Sequence, residues 1–351
     1  MKRLITFVGF VALANIAMMP VVVAEERAGI CEENTRADEV SEESVSLFAS
    51  SEYERKISRE FNVGSSPTLA IDNRFGKINI IEGADDKITF NITIKGKGKN
   101  VSEAKKYSES ADVKFDHSSS RVKAKTSFEK INCNNCGRTV NYEITVPKNT
   151  KYILENEHGD VSMNNATGSI EAKIDFGKFY ANELRDADVT IRHGGSTINN
   201  CENLKLNSAF SRHKFGTIGS LSGKVTHGGF DIEEVGSVDI ISDFSNVTIE
   251  RLKNIFTTKK IEHGSLKINN IDNGFAEIRI DASFSKLQIS LNENHNFKAT
   301  LYTSFGSIKT GRLTFYEKSL DKKDAVVGIV GKIKEPSAIV NISNSHGNIE
   351  L

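Results

Sequence analysis

The chain of 351 residues contains no tryptophan and four prolines, one of them within the first 24 residues. Without tryptophan it lacks the ring best suited to stacking on a sugar, which counts against a carbohydrate-active enzyme. Charge of one sign is missing too. The 46 basic and 46 acidic side chains cancel, so no strong field draws the chain to nucleic acid or an anionic membrane. There is no Gly-x-Ser-x-Gly elbow and no His-Glu-x-x-His pair. Lys95-Gly-Lys-Gly-Lys99 lacks the Gly-Lys-Ser/Thr ending of a phosphate loop and reads as a solvated hairpin loop. Beyond Ala24 no apolar run is long enough to span a bilayer. The hydrophobic share of 38% is nevertheless ample for a folded core.

Met1 to Ala24 has the layout of a secretory signal. Lys2 and Arg3 precede an almost wholly apolar stretch from Leu4 to Val23, and Val22-Val23-Ala24 offers a small-residue cleavage site. Cleavage predicts an exported chain without a transmembrane segment, placed in the periplasm, on the outer-membrane surface or outside the cell. Residues 25–43 carry eight acidic side chains against Arg27 and Arg36, which predicts a disordered acidic leader.

A short signature recurs through the rest of the chain: Phe or His followed by Gly or Ser. It stands at Phe75, His158, Phe176, His193, Phe210, His227, Phe244, His263, Phe284, Phe305 and His346. From His158 the steps are 18, 17, 17, 17 and 17 residues, then 19, 21 and 21. Apolar residues keep fixed offsets around it: Ile170, Leu204 and Leu221 six before, Val189, Leu206 and Ile240 four before, Val161, Val247 and Leu266 three after, Ile198, Ile232 and Ile249 five after. Spacing by two on either side means two short strands, each with one face inward, and the Gly or Ser lets the chain turn between them.

Seventeen residues at roughly 3.3 Å each give a perimeter of about 56 Å, which suits two short strands and two closing sides. The expectation is therefore an all-β fold, a right-handed parallel β-helix (β-solenoid) of about 17 residues per coil. The residue two before the signature is small in the copies at Phe210, Phe244, Phe284 and Phe305 (Ser208, Ser242, Ala282, Thr303) and large at His193, His227 and His263 (Ile191, Val225, Ile261). That alternation predicts rings that point inward and fill one dry column, Phe beside small and His beside large.

Between Phe75 and His158 the spacing fails. Residues 82–150 form an expected antiparallel insertion, with strands near Lys87–Lys95, Ser120–Phe128 and Arg138–Val146 and one short helix opened by a capping box at Asn100 and Glu103. A second insertion spans 311–337, and the whole of 44–351 reads as one domain. Leu69-Ala-Ile-Asp-Asn-Arg-Phe-Gly-Lys-Ile78, Val140-Asn-Tyr-Glu-Ile-Thr-Val-Pro-Lys148 and Asn156-Glu-His-Gly-Asp-Val161 resemble the bacterial envelope family whose members are called "putative adhesins", relatives of the head GIN domain. The resemblance covers roughly residues 55 to 351. It implies an exported right-handed β-helix with no established chemistry, and shape alone does not fix function.

The signature histidines could suggest a metal ladder, but neighbouring copies lie two rungs or about 9.6 Å apart, too far to share one zinc ion. They read as a structural turn stack with the phenylalanines, so no cofactor or metal is expected. Cys133-Asn-Asn-Cys136 reads as a small disulfide across a hairpin loop. A zinc half-site would need a second pair, and thiol–disulfide catalysis a thioredoxin-like setting. Cys201, in an inward column, reads as a buried inert thiol. The outward column two after each signature holds one acid, Asp160, and no acidic cluster. The expectation is a non-catalytic exported scaffold or adhesin. Its partner would be a cell-surface molecule, a glycan or an envelope protein, and not a nucleic acid. The alternatives are a carbohydrate-active enzyme and a periplasmic regulatory partner.

Overall fold

The computed structural model describes residues 50–83, 86–132 and 136–351, all within the compact unit Phe48–Leu351. The signal segment, the acidic leader with Cys31, and Cys133 lie outside the described residues. The described chain is mostly strand, with a single helix, Val101–Glu109.

Period-two sequences bury every second side chain. In strand Ile170–Asp175, Ile170, Ala172 and Ile174 are buried while Glu171 and Lys173 face water. Parallel pairing then stacks like residues: Leu184 lies beside Cys201, Cys201 beside Ile218, and Leu204 beside Leu221. Each of these partners is seventeen positions on in sequence. Burying columns of Ile, Leu, Val and Phe in this way contributes about 1.5–3 kcal/mol per large side chain, the main favourable term in the unit. Where the signature step lengthens toward His263, the strand running to Glu262 takes up extra chain as a bulge between Thr258 and Ile261.

The insertion at 82–150 does not separate the rungs it interrupts. Strand Thr68–Arg74 pairs directly with Lys151–Glu157, and Ile78–Glu82 with Val161–Ala166. On the other side Arg121–Phe128 pairs with Thr68–Arg74, and Gly137–Val146 with Ile78–Glu82. Strand Lys87–Gly98 runs antiparallel between Gly137–Val146 and Ser51–Asn62. The helix begins as the capping pattern requires: the Asn100 side chain accepts the Glu103 amide at 2.9 Å, and the Glu103 carboxylate accepts the Lys99 amide at 3.0 Å.

The structure corrects the sequence reading in two places. Rungs do not follow chain order at the C-terminal end. Strand Ala338–Asn344 lies between Glu277–Ser283 and Phe297–Thr303, parallel to both. Strand Ile349–Glu350 likewise lies between Lys286–Ile289 and Ile308–Lys309. The last coil is thus slotted between two earlier ones.

The rings also do not fill the core. Phe176, Phe244 and Phe284 are each 51% exposed, and Phe305 is 72% exposed. The reason lies in the backbone. From Phe75 through Phe284, nine signature residues have φ between 45° and 60°. The Phe or His itself makes the left-handed turn, and its side chain points out to solvent. The small residues two positions earlier are buried in the core without a ring beside them to compensate. Ser208 instead makes room for His213, which is fully buried.

Candidate functional site

Eleven rings form one continuous ladder on the surface. In space the order is Phe75, His158, Phe176, His193, Phe210, His227, Phe244, His263, Phe284, His346 and Phe305, with centroids 4.3–5.1 Å apart and planes within 20°. Phe and His alternate without exception. In sequence Phe284 and Phe305 are successive copies; the inserted last coil places His346 between them.

The residue after each ring links neighbouring rungs at backbone level. In three Phe rungs a serine hydroxyl donates to the carbonyl two residues back: Ser211 to Ala209 at 2.8 Å, Ser245 to Asp243 at 2.8 Å, and Ser285 to Ser283 at 2.7 Å. The same oxygens accept amides from the preceding His rungs, Gly194 and Gly228 at 3.1 Å each and Gly264 at 3.4 Å. A Cβ on Gly228 would overlap the Ser211 carbonyl, so the His rungs need glycine there. A left-handed residue other than glycine costs about 1–2 kcal/mol. Stacking against two neighbours, at about 0.5–1.5 kcal/mol per aromatic pair, offsets that cost.

The ladder is closed at one end only. Phe128 packs on Phe75 at 5.8 Å, and the Arg138 guanidinium lies over Phe128 at 4.4 Å. Burial holds the Arg138 pKa below its ordinary value. Beside this end lies a cleft of about 470 Å³ with Asp72, Glu155, Glu157, Asp175, Arg74 and Lys125 on its walls. Its charges are mostly spent on one another. Lys125 holds Asp72 at 2.6 Å, Arg74 holds Glu157, and Arg192 reaches Asp175 at 3.3 Å. The floor is a buried polar relay. The Thr126 hydroxyl bonds the Tyr142 hydroxyl at 2.6 Å and the Asn73 carbonyl oxygen at 2.8 Å, and the Asn73 amide donates to Asn156 at 3.1 Å. Burial raises the Tyr142 pKa, so the phenol stays protonated. Asn73 and Asn156, together with Asn344, are buried and donate to turn carbonyls such as Gly76 and Ser285.

A second polar feature was missed in the sequence reading. His213 is fully buried, with Nδ1 2.8 Å from the Ser196 hydroxyl and Nε2 2.7 Å from the Ser208 hydroxyl. Burial lowers its pKa to about 4. A signal existed: Ser196 and His213 are consecutive polar residues in the column three after the ring, which is otherwise apolar in most copies.

Cys136 is disulfide-bonded. Cys201 is buried with a free thiol, and burial pushes its pKa up to about 12. Among the described residues no cluster of three or more His, Cys, Asp or Glu side chains is placed to hold a metal, and no helix is long and apolar enough to cross a membrane.

Parallel rungs with like residues in register and an exposed ring ladder define a repetitive β-scaffold. Residues 67–351 match the family model described as Toastrack DUF4097, and the chain belongs to that family. Among solved structures, the chain is similar to a "putative cell adhesion protein" of Clostridium sporogenes, with 14% identity over 86% of this chain and 98% of the other and a TM-score of 0.20. A "putative adhesin" of Bacteroides fragilis shares 12% identity over 61% and 97%, with a TM-score of 0.25. One of Parabacteroides distasonis shares 10% over 85% and 97%, also with a TM-score of 0.25. No curated protein matches.

Proposed function

We propose that the chain is an exported, non-catalytic cell-envelope protein of adhesin type, a scaffold whose contact surface is the ring ladder. The winding is read as right-handed, with about seventeen residues per coil. The observation that carries the reading is the ladder itself, because a contiguous row of half-exposed rings is the informative departure from an ordinary polar surface. The acid-lined cleft supports a structural rather than a catalytic role. Asp72, Glu157 and Asp175 each sit against a cation, which leaves on the cleft wall one carboxylate without an ion pair, Glu155, rather than two.

The test is retention of the purified mature chain on bacterial cells, host surfaces and a broad glycan array. Replacing Phe176, Phe210, Phe244 and Phe284 by His is expected to keep the stack and abolish retention. Unchanged retention by that variant overturns the ladder as the contact surface. Turnover of a bound glycan overturns the non-catalytic reading.

A further inference from the structure

We infer that the ladder and a row of cations beside it form a track for an acidic polysaccharide carrying one anionic group per two sugars. This rests on the reading of the ladder as a contact surface and names what that surface takes. Two residues after four of the Phe rings stand Lys77, Lys178, Arg212 and Lys286, all exposed. Their side chains have no ion-pair or hydrogen-bond partner among the described residues. Elsewhere on the same strands cations are held, Lys205 by Asp188 at 2.7 Å and Arg251 by Asp272 at 2.7 Å. The equivalent positions of the His rungs are Asp160, Gly195, Gly229, Ser265 and Asn348. The one acid there, Asp160, accepts the Lys178 amide at 3.0 Å. Asn246 interrupts the row at Phe244, Lys286 resumes it, and Ser307 ends it at Phe305.

The cations therefore follow the Phe rungs, two steps apart. Between the rungs of Lys178 and Arg212 the ring steps are 4.9 Å from Phe176 to His193 and 5.0 Å on to Phe210. Positive charge recurs about every 10 Å, twice the strand spacing. At the far end a groove of about 600 Å³ runs beside the ladder, walled by Phe284, Lys286, Lys309, His346 and Asn348, with Glu350 also on its lining. The opposite flank, one residue before each ring, mixes Glu157, Asp175, Asp243 and Glu262 with Arg74 and Arg192, and Arg74 pairs with Glu157 and Arg192 with Asp175. Unpaired positive charge therefore lies along the first flank, and a polymer charged along one edge fits with that edge toward it.

Charge density selects the polymer. A nucleic-acid strand places a phosphate about every 3.4 Å, roughly threefold denser than this row, and would leave most phosphates unmatched. In an extended β-linked polysaccharide a sugar covers roughly one rung and successive sugars are turned over, so the same edge returns every second rung. The ring faces are covered by one another, so contact is through ring edges. Phenyl edges carry partial positive charge and suit hydroxyl oxygens. The imidazole nitrogens of His193, His227 and His263 have no hydrogen-bond partner among the described residues and can bond hydroxyls between the charges.

The probe is a hyaluronan decasaccharide, with one carboxylate per two sugars, titrated into the full mature chain at low and high salt. Binding that weakens with salt is expected. Lys178→Gln with Arg212→Gln and Lys286→Gln is expected to weaken it roughly tenfold, about 1.4 kcal/mol. His193→Phe with His227→Phe and His263→Phe removes the hydrogen bonds but not the stack, since Phe already occupies this turn in neighbouring rungs, and is expected to weaken binding at unchanged thermal stability. Equal binding by the glutamine variant overturns the inference, as does equal binding of a neutral chitin hexasaccharide or an oligodeoxythymidylate. If hyaluronan is not bound while surface retention persists, the inference falls and the scaffold reading stands. If retention is lost as well, both fall.

Discussion

The His346 ring stacks on Phe284 at 4.3 Å with planes 8° apart, the closest pair in the ladder, although Phe305 and a whole insertion lie between them in sequence. The contact exists because the last coil enters a slot between two rungs already laid down. Val340 and Ile342 bury their side chains there, with Ile349 in the second strand.

Ending the chain after residue 337 is expected to cost on the order of 5 kcal/mol, from three large buried side chains at about 1.5–3 kcal/mol each. Hydrogen exchange should quicken in 277–309 and stay slow in 170–226. Uniform protection in the shortened chain would contradict the slotted arrangement.

Turn strain and ring stacking can be separated at Phe210. Phe210→Gly removes the rings' mutual contact but relieves the left-handed turn, whereas Phe210→Ala loses the contact and keeps the strain. Urea denaturation should rank wild type above Gly and Gly above Ala, with Gly and Ala about 1 kcal/mol apart. A more stable Ala variant would refute the account of the turn.

His213 makes stability pH-dependent. Its folded pKa, about 4, lies below the ordinary value of about 6.5. Above pH 6.5 the imidazole is neutral folded or unfolded and contributes no slope. Between about 6.5 and 4 the unfolded chain binds a proton that the folded chain refuses, so stability falls with pH. The loss reaches about 3 kcal/mol and levels off once the folded imidazole titrates too. His213→Phe, a ring already accepted in that column at Phe179 and Phe230, should flatten the slope. Parallel pH curves for the two proteins would disprove the assignment.

Cys201 should resist iodoacetamide at about pH 8 in the native chain and react on unfolding, since burial keeps it a thiol. Rapid native labelling would show that the column opens.

The all-β character and the inward columns were readable because Leu, Ile and Val recur at fixed offsets, and parallel pairing sets like residues side by side. The insertion strands were readable from their period-two alternation alone, as in Lys87–Gly98, where Ile88, Phe90, Ile92 and Ile94 are buried. The direction of the rings was not. Offsets say which residues share a face within a strand, but Phe210 stands in the turn, where the sign of φ decides the side. His213 was hidden because it stands three residues after a ring, in a column of apolar residues, and not at the signature position. The position of the last coil was hidden because step lengths describe chain order, although the break in Phe–His alternation at Phe305 marked it. The cation row was visible in sequence as Lys178, Arg212 and Lys286, but its freedom from partners needed coordinates.

Serine in one rung serves the glycine amide of its neighbour, as Ser211 does for Gly194. At three places the structural unit is therefore a couple of windings rather than one, and a change of Ser211, Ser245 or Ser285 to glycine would strip the acceptor from the glycine amide of the winding beside it.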